Sequence, residues 1–256
     1  MVVLASLKIM ASLIFRWNIS RNMSLFRFPP RGTPLMTFSE DLVEGIVMER
    51  VNRFLAKVKV DEEILPVHVH DPGRIRELIY PGSRALIRKS NGIKTSHSLT
   101  AAITSEGEKV MLDTRFHNQM GRQFISGNPE PEKKYLESRF DFRTESGFVE
   151  IKGCSMLSGN CAIFPDAPTQ RGARHLRELS MAKSEGMDAG VIFLIGRSKA
   201  EYFYPNVSTD PSFSAEFFKA MENGLEMIFP KYQMISSELV YAGNARFTGS
   251  IPNATD

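Results

Sequence analysis

The sequence is poor in cysteine: Cys154 and Cys161 are the only two among 256 residues. Two thiols cannot form the multiple disulfide bonds of a small secreted domain, and they supply too few ligands for a structural zinc site. The five histidines do not cluster with them along the sequence. This cysteine usage indicates a reducing compartment, and we predict that the protein is cytoplasmic.

The sequence also lacks a long uncharged apolar run. Its most apolar stretch, MVVLASLKIMASLIFRW at the N-terminus, is interrupted by Lys8 and is too short to predict a membrane span. No basic stretch precedes it and no small-residue cleavage site follows it, so it does not resemble a signal peptide. We predict that residues 1–35 are a disordered extension or result from a start codon placed too early, and we expect no membrane association.

Neither sign of charge dominates the composition. The formal net charge is +3 and the pI is about 8.8. This mildly basic balance permits a polyanionic partner without requiring one. With 42% hydrophobic residues the composition is that of a globular protein, and the length allows one large domain or two small ones.

Residues 36–114 contain short alternating apolar runs that are separated by turn residues. Such runs are typical of strands. Five short strands in succession predict a small closed or half-open barrel, of which the OB fold is the commonest kind that binds nucleic acid. The five runs are IVMERVNRFLAKVKV, EILPVHVH, SRALIRKS, SHSLTAAIT and EKVMLDT.

Residues 115–235 have a different pattern, in which helices alternate with strands. TRFHNQMGRQFIS predicts a helix, and YLESRFDFR, GFVEIKGCSML and NCAIF predict three strands. TQRGARHLRELSMAKSEG predicts a second helix with Asp166 as its cap, and GVIFLIG predicts a strand that is buried on both faces. DPSFSAEFFKAMENG predicts a further helix, and LEMIFPKYQM predicts an edge strand, because Pro230 removes a ladder donor. We therefore expect a mixed α/β domain of order αβββαβ with an added αβ pair, followed by a tail at residues 236–256.

The central hairpin of this domain carries the strongest candidate for chemistry. Glu150 and Lys152 share one face of a strand, and Asp141 lies on the preceding strand. Carboxylates are the hard ligands that hold Mg²⁺, and a lysine beside them can stabilise charge on a phosphate. The alternative interpretation is a solvated Glu–Lys pair of little energetic consequence.

Two further sets of basic residues are candidates for binding phosphate. Arg171, Arg174 and His175 fall on one stripe of the predicted second helix, which can lie beside the hairpin. The second set is Arg50, Arg53 and Arg74 of the barrel half. Arg50 and Arg53 lie on the first barrel strand, and Arg53 precedes Phe54, a pair suited to backbone contact and base stacking. A solvated helix face and scattered surface charge are the respective alternatives.

Four stretches together resemble the sugar fermentation stimulation protein A family, and the first of them is the most specific. They are FPDAPTQRGARHLREL, RFDFRTESGFVEIKG, HVHDPGRIRELIYPG and RVNRFLAKV. The resemblance runs from about residue 36 to residue 234. It implies an N-terminal OB-like β-barrel followed by a PD-(D/E)XK nuclease-like αβββαβ domain. It also implies DNA binding without strong sequence preference and a role in regulating sugar utilisation.

The resemblance also assigns roles to individual residues. Asp141, Glu150 and Lys152 match the nuclease motif, and Arg171 and His175 match the family's own helix motif. Matches to the N-terminal motifs are Arg53, His68, Gly73 and Arg74. Many PD-(D/E)XK nucleases carry an acid on the first core helix, whereas this sequence has Asn118 there, so a second metal is not predicted.

Three hypotheses about function remain open at this point. In the first, Asp141 and Glu150 hold Mg²⁺ or Mn²⁺, and Lys152 assists the hydrolysis of a phosphodiester in DNA. In the second, the protein is a non-catalytic DNA-binding regulator of sugar utilisation whose cleft only grips phosphate. In the third, it is a nucleotide-processing or RNA-processing enzyme, because hydrolytic phosphate chemistry uses the same residue types.

Overall fold

The computed structural model describes residues 25–71, 73, 75–90, 92 and 95–249. In chain order the strands of these residues are β1 (Pro34–Thr37), β2 (Val43–Asn52), β3 (Leu55–Val60), β4 (Glu63–His68), β5 (Arg84–Lys89), β6 (His97–Ile103), β7 (Lys109–Met111), β8 (Glu130–Tyr135), β9 (Ser138–Arg143), β10 (Gly147–Cys154), β11 (Leu157–Ser158), β12 (Cys161–Phe164), β13 (Asp188–Ile195), β14 (Tyr202–Pro205), β15 (Glu226–Ile228), β16 (Pro230–Ile235), β17 (Glu238–Asn244) and β18 (Arg246–Phe247). The α-helices are α1 (His117–Gly121), α2 (Gln170–Ser184) and α3 (Pro211–Glu222).

The N-terminal half forms an OB-like barrel, which confirms the predicted fold. Its strand order is β4-β3-β2-β5-β6-β7, and β4 also pairs with β6 to close the sheet on itself. Alternation along β3 explains its two faces: Ala56 and Val58 are buried, whereas Lys57 lies between them on the outer face. The buried side chains of the six strands fill the interior as a separate apolar core.

The second half is built on a mixed sheet of order β1-β17-β16-β13-β10-β9-β8. β10 and β13 pair in parallel from Gly147↔Asp188 to Cys154↔Ile195. The apolar run of β13 is buried along nearly its whole length, as its sequence predicts. β10 is therefore a central strand, and its side chains face either α2 or the layer that contains α1.

Helix α2 packs on the sheet through an apolar stripe. Ala173, Leu176 and Leu179 on this stripe are all buried. The helix begins after Thr169, whose Oγ1 accepts a hydrogen bond from the Gly172 N–H at 3.0 Å. The predicted cap, Asp166, was wrong by three positions, because the chain turns into the helix later than the sequence indicates.

The helix predicted over residues 114–126 is shorter than expected. α1 has only five residues and lies between two 3₁₀ turns, Thr114–Phe116 and Arg122–Phe124. Gly121 explains how closely this segment approaches the sheet, since a Cβ there would collide with the Ile151 side chain. No helix among the described residues is long and apolar enough to cross a membrane.

The predicted N-terminal extension and the predicted C-terminal tail both differ from the structure. Residues 1–24 lie outside the described part, but Leu25 and Phe26 are only 2% and 4% exposed. Phe26 also forms a bridge with Ile125, and β1 pairs with β17. These contacts bury apolar side chains against the sheet, so residues 25–35 are not a disordered extension.

Residues 236–249 are likewise not a tail. β17 pairs antiparallel with β16 along its length, and β18 pairs with β14. As a result β16 lies between β13 and β17 and is not the predicted edge strand. Pro230 is tolerated because it is the first residue of β16, where a missing ladder donor disturbs little.

Candidate metal centre and the cleft beside it

The β9–β10 hairpin brings the predicted acids and lysine together. A tight turn holds the hairpin, with the Gly147 N–H donating to Thr144 Oγ1 at 3.0 Å. Beyond the turn, Val149 pairs with Phe142. Asp141 Oδ2 then accepts a hydrogen bond from the Ile151 N–H at 2.7 Å, which fixes its carboxylate against β10.

Glu150 is the more buried of the two acids, with 4% of its surface exposed. Its Oε1 atom accepts from Lys152 Nζ at 2.5 Å and lies 2.7 Å from His175 Nδ1. Burial alone would raise the pKa of Glu150, but the Lys152 charge and the His175 hydrogen bond outweigh it and keep the pKa below its usual value. The carboxylate is thus held ionised in a buried position.

The second oxygen of Glu150 has no hydrogen-bond partner. Oε2 is buried, and no donor among the described residues reaches it. Buried polar atoms are nearly always satisfied, and an unpaired charged oxygen is especially unfavourable. This orphaned oxygen identifies a position where a ligand with positive charge would fit.

His175 connects the acid to helix α2. The Arg171 Nε–H donates to His175 Nε2 at 3.2 Å, which makes Nε2 an acceptor. The neutral tautomer consistent with this bond carries its proton on Nδ1 and donates it to Glu150. Lys152 Nζ lies 3.4 Å from the same Nδ1, so the four side chains form one compact group.

Asp141 has a different electrostatic environment from Glu150. Its Oδ1 atom accepts from Asn118 Nδ2 on α1 at 3.0 Å. Burial, followed by the nearby Glu150 charge, raises the pKa of Asp141 to about 6. Asn118 is neutral and donates to Asp141. An acid at this position on α1 would add a further negative charge and increase the repulsion between Asp141 and Glu150.

Gly153 allows α1 to approach the end of the site. A Cβ at this position would collide with the His117 imidazole ring. His117 is half-buried, and burial lowers its pKa to about 4, so the ring is neutral at physiological pH. The sequence feature that corresponds to this contact is the glycine directly after Lys152. The reason for a glycine at this position becomes clear only from the fold.

The other predicted phosphate-binding residues are more dispersed. Arg174 turns to the start of β9, where its Nε lies 3.5 Å from Ser138 Oγ. Arg50 donates to the Gly73 carbonyl at 2.9 Å, and Arg53 is exposed with its guanidinium over Phe54. Arg74 lies outside the described residues. The structure thus groups Arg171 and His175 with the acids and separates Arg174 and the barrel arginines from them.

The donor set fits a hard divalent cation that retains water. No three His, Cys, Asp or Glu side chains among the described residues converge as a complete cage. Mg²⁺ does not need such a cage, because it binds through one or two carboxylates and completes its shell with water and substrate phosphate. Glu150 Oε2 and the Asp141 carboxylate supply oxygen atoms of the required kind.

The fold defines a class of protein, an OB-like barrel joined to a mixed α/β domain. Two family models match, "SfsA N-terminal OB domain" over residues 48–112 and "Sugar fermentation stimulation protein RE domain" over residues 109–238. The chain belongs to the sugar fermentation stimulation protein family.

Similar proteins match at least four-fifths of this chain. A sugar fermentation stimulation protein homolog of Saccharolobus solfataricus is 42% identical over 231 residues, 89% of this chain and 96% of the relative. A homolog of Thermoplasma volcanium is 43% identical over 204 residues, 80% of this chain and 94% of the relative. The solved structure of Pyrococcus furiosus SfsA in complex with Ca²⁺ matches with a TM-score of 0.77 and 27% identity, covering 84% of this chain and 99% of that one.

Proposed function

We propose that the protein is a metal-dependent nuclease that hydrolyses phosphodiester bonds in DNA. The observation that carries this proposal is the buried, unpartnered Oε2 atom of Glu150 beside Asp141 and Lys152. A carboxylate that is kept ionised in a buried position and leaves one oxygen free is suited to bind a cation.

A divalent cation is favoured by the charges around the site. Burial and the charge of Glu150 raise the pKa of Asp141 to about 6, so its ionised form is destabilised, and a bound cation would offset this cost. The similar Pyrococcus furiosus protein is described in complex with Ca²⁺, which prefers oxygen ligands as Mg²⁺ does. We propose Mg²⁺ or Mn²⁺ for this chain, held by Asp141 and Glu150.

The side chains of this chain divide the work of hydrolysis. A divalent ion bound here would polarise the phosphate and lower the pKa of a bound water. Lys152 places a positive charge next to Glu150, where it can stabilise charge that develops on phosphate. His175 orients Glu150, and the exposed Arg171 orients His175 and presents a guanidinium to phosphate.

DNA without strong sequence preference is the partner that the basic residues favour. Contacts from arginine to phosphate position a nucleic acid but carry no sequence information. Arg171 on α2 and the arginines of the barrel, Arg50 and Arg53, are groups of this kind. A role in sugar utilisation then follows only indirectly, through the nucleic acid on which the protein acts.

The proposal is tested with the full chain and plasmid, linear duplex and single-stranded DNA in Mg²⁺, Mn²⁺ or EDTA. We expect metal-dependent cleavage that disappears in Lys152→Ala while DNA binding remains. Lys219→Ala is the matched control, because Lys219 is an exposed lysine on α3. Cleavage that persists in EDTA or in Lys152→Ala would contradict this assignment of the site.

A second function, a DNA-binding regulator without catalysis, is favoured by one observation. Asn118 donates to Asp141 where many PD-(D/E)XK nucleases have an acid, so the described residues give the site two carboxylates, Asp141 and Glu150. In that case the site binds phosphate without hydrolysing the DNA. The same experiment would then give DNA binding that weakens steeply with salt, and no cleavage in any metal.

A further inference from the structure

The tip of the β2–β3 hairpin holds an exposed aromatic ring in a fixed position. Phe54 is 41% exposed, although its backbone is anchored. Its N–H donates to Asn52 Oδ1 at 2.9 Å, and its carbonyl accepts from the Val69 N–H at 2.9 Å. A large ring held at the surface in this way is suited to contact a ligand, because covering it removes apolar area from water.

Other flat groups surround this ring. The His68 imidazole is parallel to it within 2°, with ring centroids 6.3 Å apart. The Arg53 guanidinium lies 4.6 Å from the Phe54 centroid. Arg53, Phe54 and His68 form what we call the stacking ledge, and all three groups present planar surfaces of the kind on which nucleic-acid bases stack.

A groove with several arginines adjoins the stacking ledge. Its volume is about 640 Å³. Its described lining residues include no acid, and among them are Arg50, Arg53 and Arg76. Tyr80 adds a second exposed ring, 48% exposed, to this surface. Cations and exposed rings in one groove match a single strand, which offers phosphates and unpaired base faces together.

The groove leads towards the candidate metal centre. Gly73 and Ala167 line both the groove and a cavity of about 320 Å³, which Gly153 and Thr169 also line. Gly153 directly follows Lys152, and Thr169 caps the helix that carries Arg171 and His175. The groove and the cavity therefore border one another, and the cavity reaches Gly153, the residue after Lys152 in the chain.

We propose that the stacking ledge binds an unpaired base of single-stranded DNA, whose phosphates follow Arg50, Arg53 and Arg76 towards Lys152. The inference rests on the proposed function and specifies its substrate as a single strand or an unpaired segment. Duplex DNA hides the faces of its bases within the helix, so it can use the arginines but not the ring of Phe54. The stacking ledge thus determines the preference for single strands over duplex DNA. The arginines contribute affinity for both forms.

The test measures binding of the full chain to a labelled single-stranded oligonucleotide and to its blunt duplex, in EDTA so that neither is cleaved. For Phe54→Ala we expect the affinity for the single strand to fall about tenfold, the loss of one stacked base. Affinity for the duplex should remain unchanged. Phe54→Trp should restore single-strand binding, and Ile64→Ala is the control, because Ile64 is a 55% exposed apolar residue on β4.

A second measurement uses the ring itself as a probe. The tryptophan introduced by Phe54→Trp should lose fluorescence when the single strand is added, because a stacked base quenches it. The duplex should leave its fluorescence unchanged. An equal loss of affinity for both DNA forms in Phe54→Ala, no loss for either, or no quenching by the single strand would overturn the inference.

Failure of this inference and failure of the proposed function give different results. If Lys152→Ala abolishes metal-dependent cleavage but Phe54→Ala binds single strands normally, the stacking ledge is wrong and the nuclease assignment stands. If Phe54→Ala loses single-strand binding selectively but no metal supports cleavage, the ledge is correct and the catalytic assignment is wrong.

Discussion

The tip of the β2–β3 hairpin carries an exposed aromatic ring, whereas the β9–β10 hairpin carries buried charged side chains. Phe54 is 41% exposed and surrounded by planar groups, whereas Glu150 is 4% exposed and bonded to Lys152 and His175. Stacking tolerates small displacements, but buried charges act only when every partner is in place. Substitutions at the first region should therefore change which DNA is bound, and those at the second should change whether it is cut.

The largest effect should come from Glu150→Gln, which keeps the shape of the side chain and removes its charge. We expect the cleavage rate to fall by about 10²–10³-fold, because a buried charge that serves the reaction is lost. DNA binding in EDTA should be preserved. Initial cleavage rates at saturating metal measure this, with Glu222→Gln at the exposed end of α3 as the control. If Glu150→Gln lost DNA binding and cleavage to the same extent, the β9–β10 hairpin would not act on cleavage alone. The proposed difference between the two regions would then be wrong.

Arg171→Ala should have the next largest effect and should be compared with Arg174→Ala. Arg171 bonds His175, which bonds Glu150, whereas Arg174 contacts Ser138. Loss of a residue that orients a metal ligand typically costs about 10–100-fold in metal affinity or activity. We expect Arg171→Ala to raise the Mg²⁺ concentration needed for half-maximal cleavage, and Arg174→Ala to change it far less.

The dependence on Mg²⁺ concentration separates orientation of the metal ligand from phosphate contact. If Arg171 acted only by binding DNA, Arg171→Ala would raise the DNA concentration required and leave the Mg²⁺ dependence unchanged. Equal shifts in Mg²⁺ dependence for Arg171→Ala and Arg174→Ala would show that the Arg171–His175–Glu150 connection has no special role.

Gly153→Ala tests how closely α1 must approach the site. The added Cβ would collide with the His117 ring, so we expect the free energy of unfolding to fall by about 1–3 kcal/mol. Denaturant unfolding measures this change. The matched control is the double variant His117→Ala/Gly153→Ala, in which the obstacle is absent. If the double variant is destabilised by the sum of the two single variants, the proposed collision is wrong.

Much of this fold could be predicted from local patterns of apolar residues, because the residues in those patterns are the ones that the structure buries. The continuous apolar run of β13 and the single stripe of α2 both predict the faces that the structure buries. The Glu150–Lys152 spacing on a strand predicts their shared face, and the structure places their side chains 2.5 Å apart. Each of these predictions needs only a few adjacent residues.

The parts that could not be predicted depend on contacts between distant segments. Asn118 bonds Asp141 across 23 positions, and no local pattern indicates that contact. Pro230 suggests an edge strand, but β17 pairs beyond it and makes β16 internal. Asp166 has the sequence features of a helix cap, yet its carboxylate lies against Gly73 from the barrel. In each case tertiary pairing overrides a correct local preference.

Asp71 lies between the two regions and should produce the smallest effect, which depends on pH. Burial raises its pKa to about 6; Asp166 and Glu77 add to the rise, and the Gly73 N–H and Arg50 oppose it. The folded state therefore binds this proton more tightly than the unfolded state, where the pKa is near 3.8. Stability from this group is present below about pH 4 and is lost as the pH rises through about 6.

Asp71→Asn removes this titration and keeps an oxygen that can accept the Gly73 N–H. The variant should match the natural chain in stability at low pH and exceed it near neutral pH. A shift of two pKa units corresponds to at most about 3 kcal/mol, and because the carboxylate borders an open cavity we expect about 1 kcal/mol. Denaturant unfolding from acid to neutral pH measures the difference in the free energy of unfolding between Asp71→Asn and the natural chain. A difference that is constant with pH would show that the pKa of Asp71 is not raised in the folded state. A difference that grows with pH would show that the ionised Asp71 carboxylate is unfavourable in its buried position at the junction of the two regions.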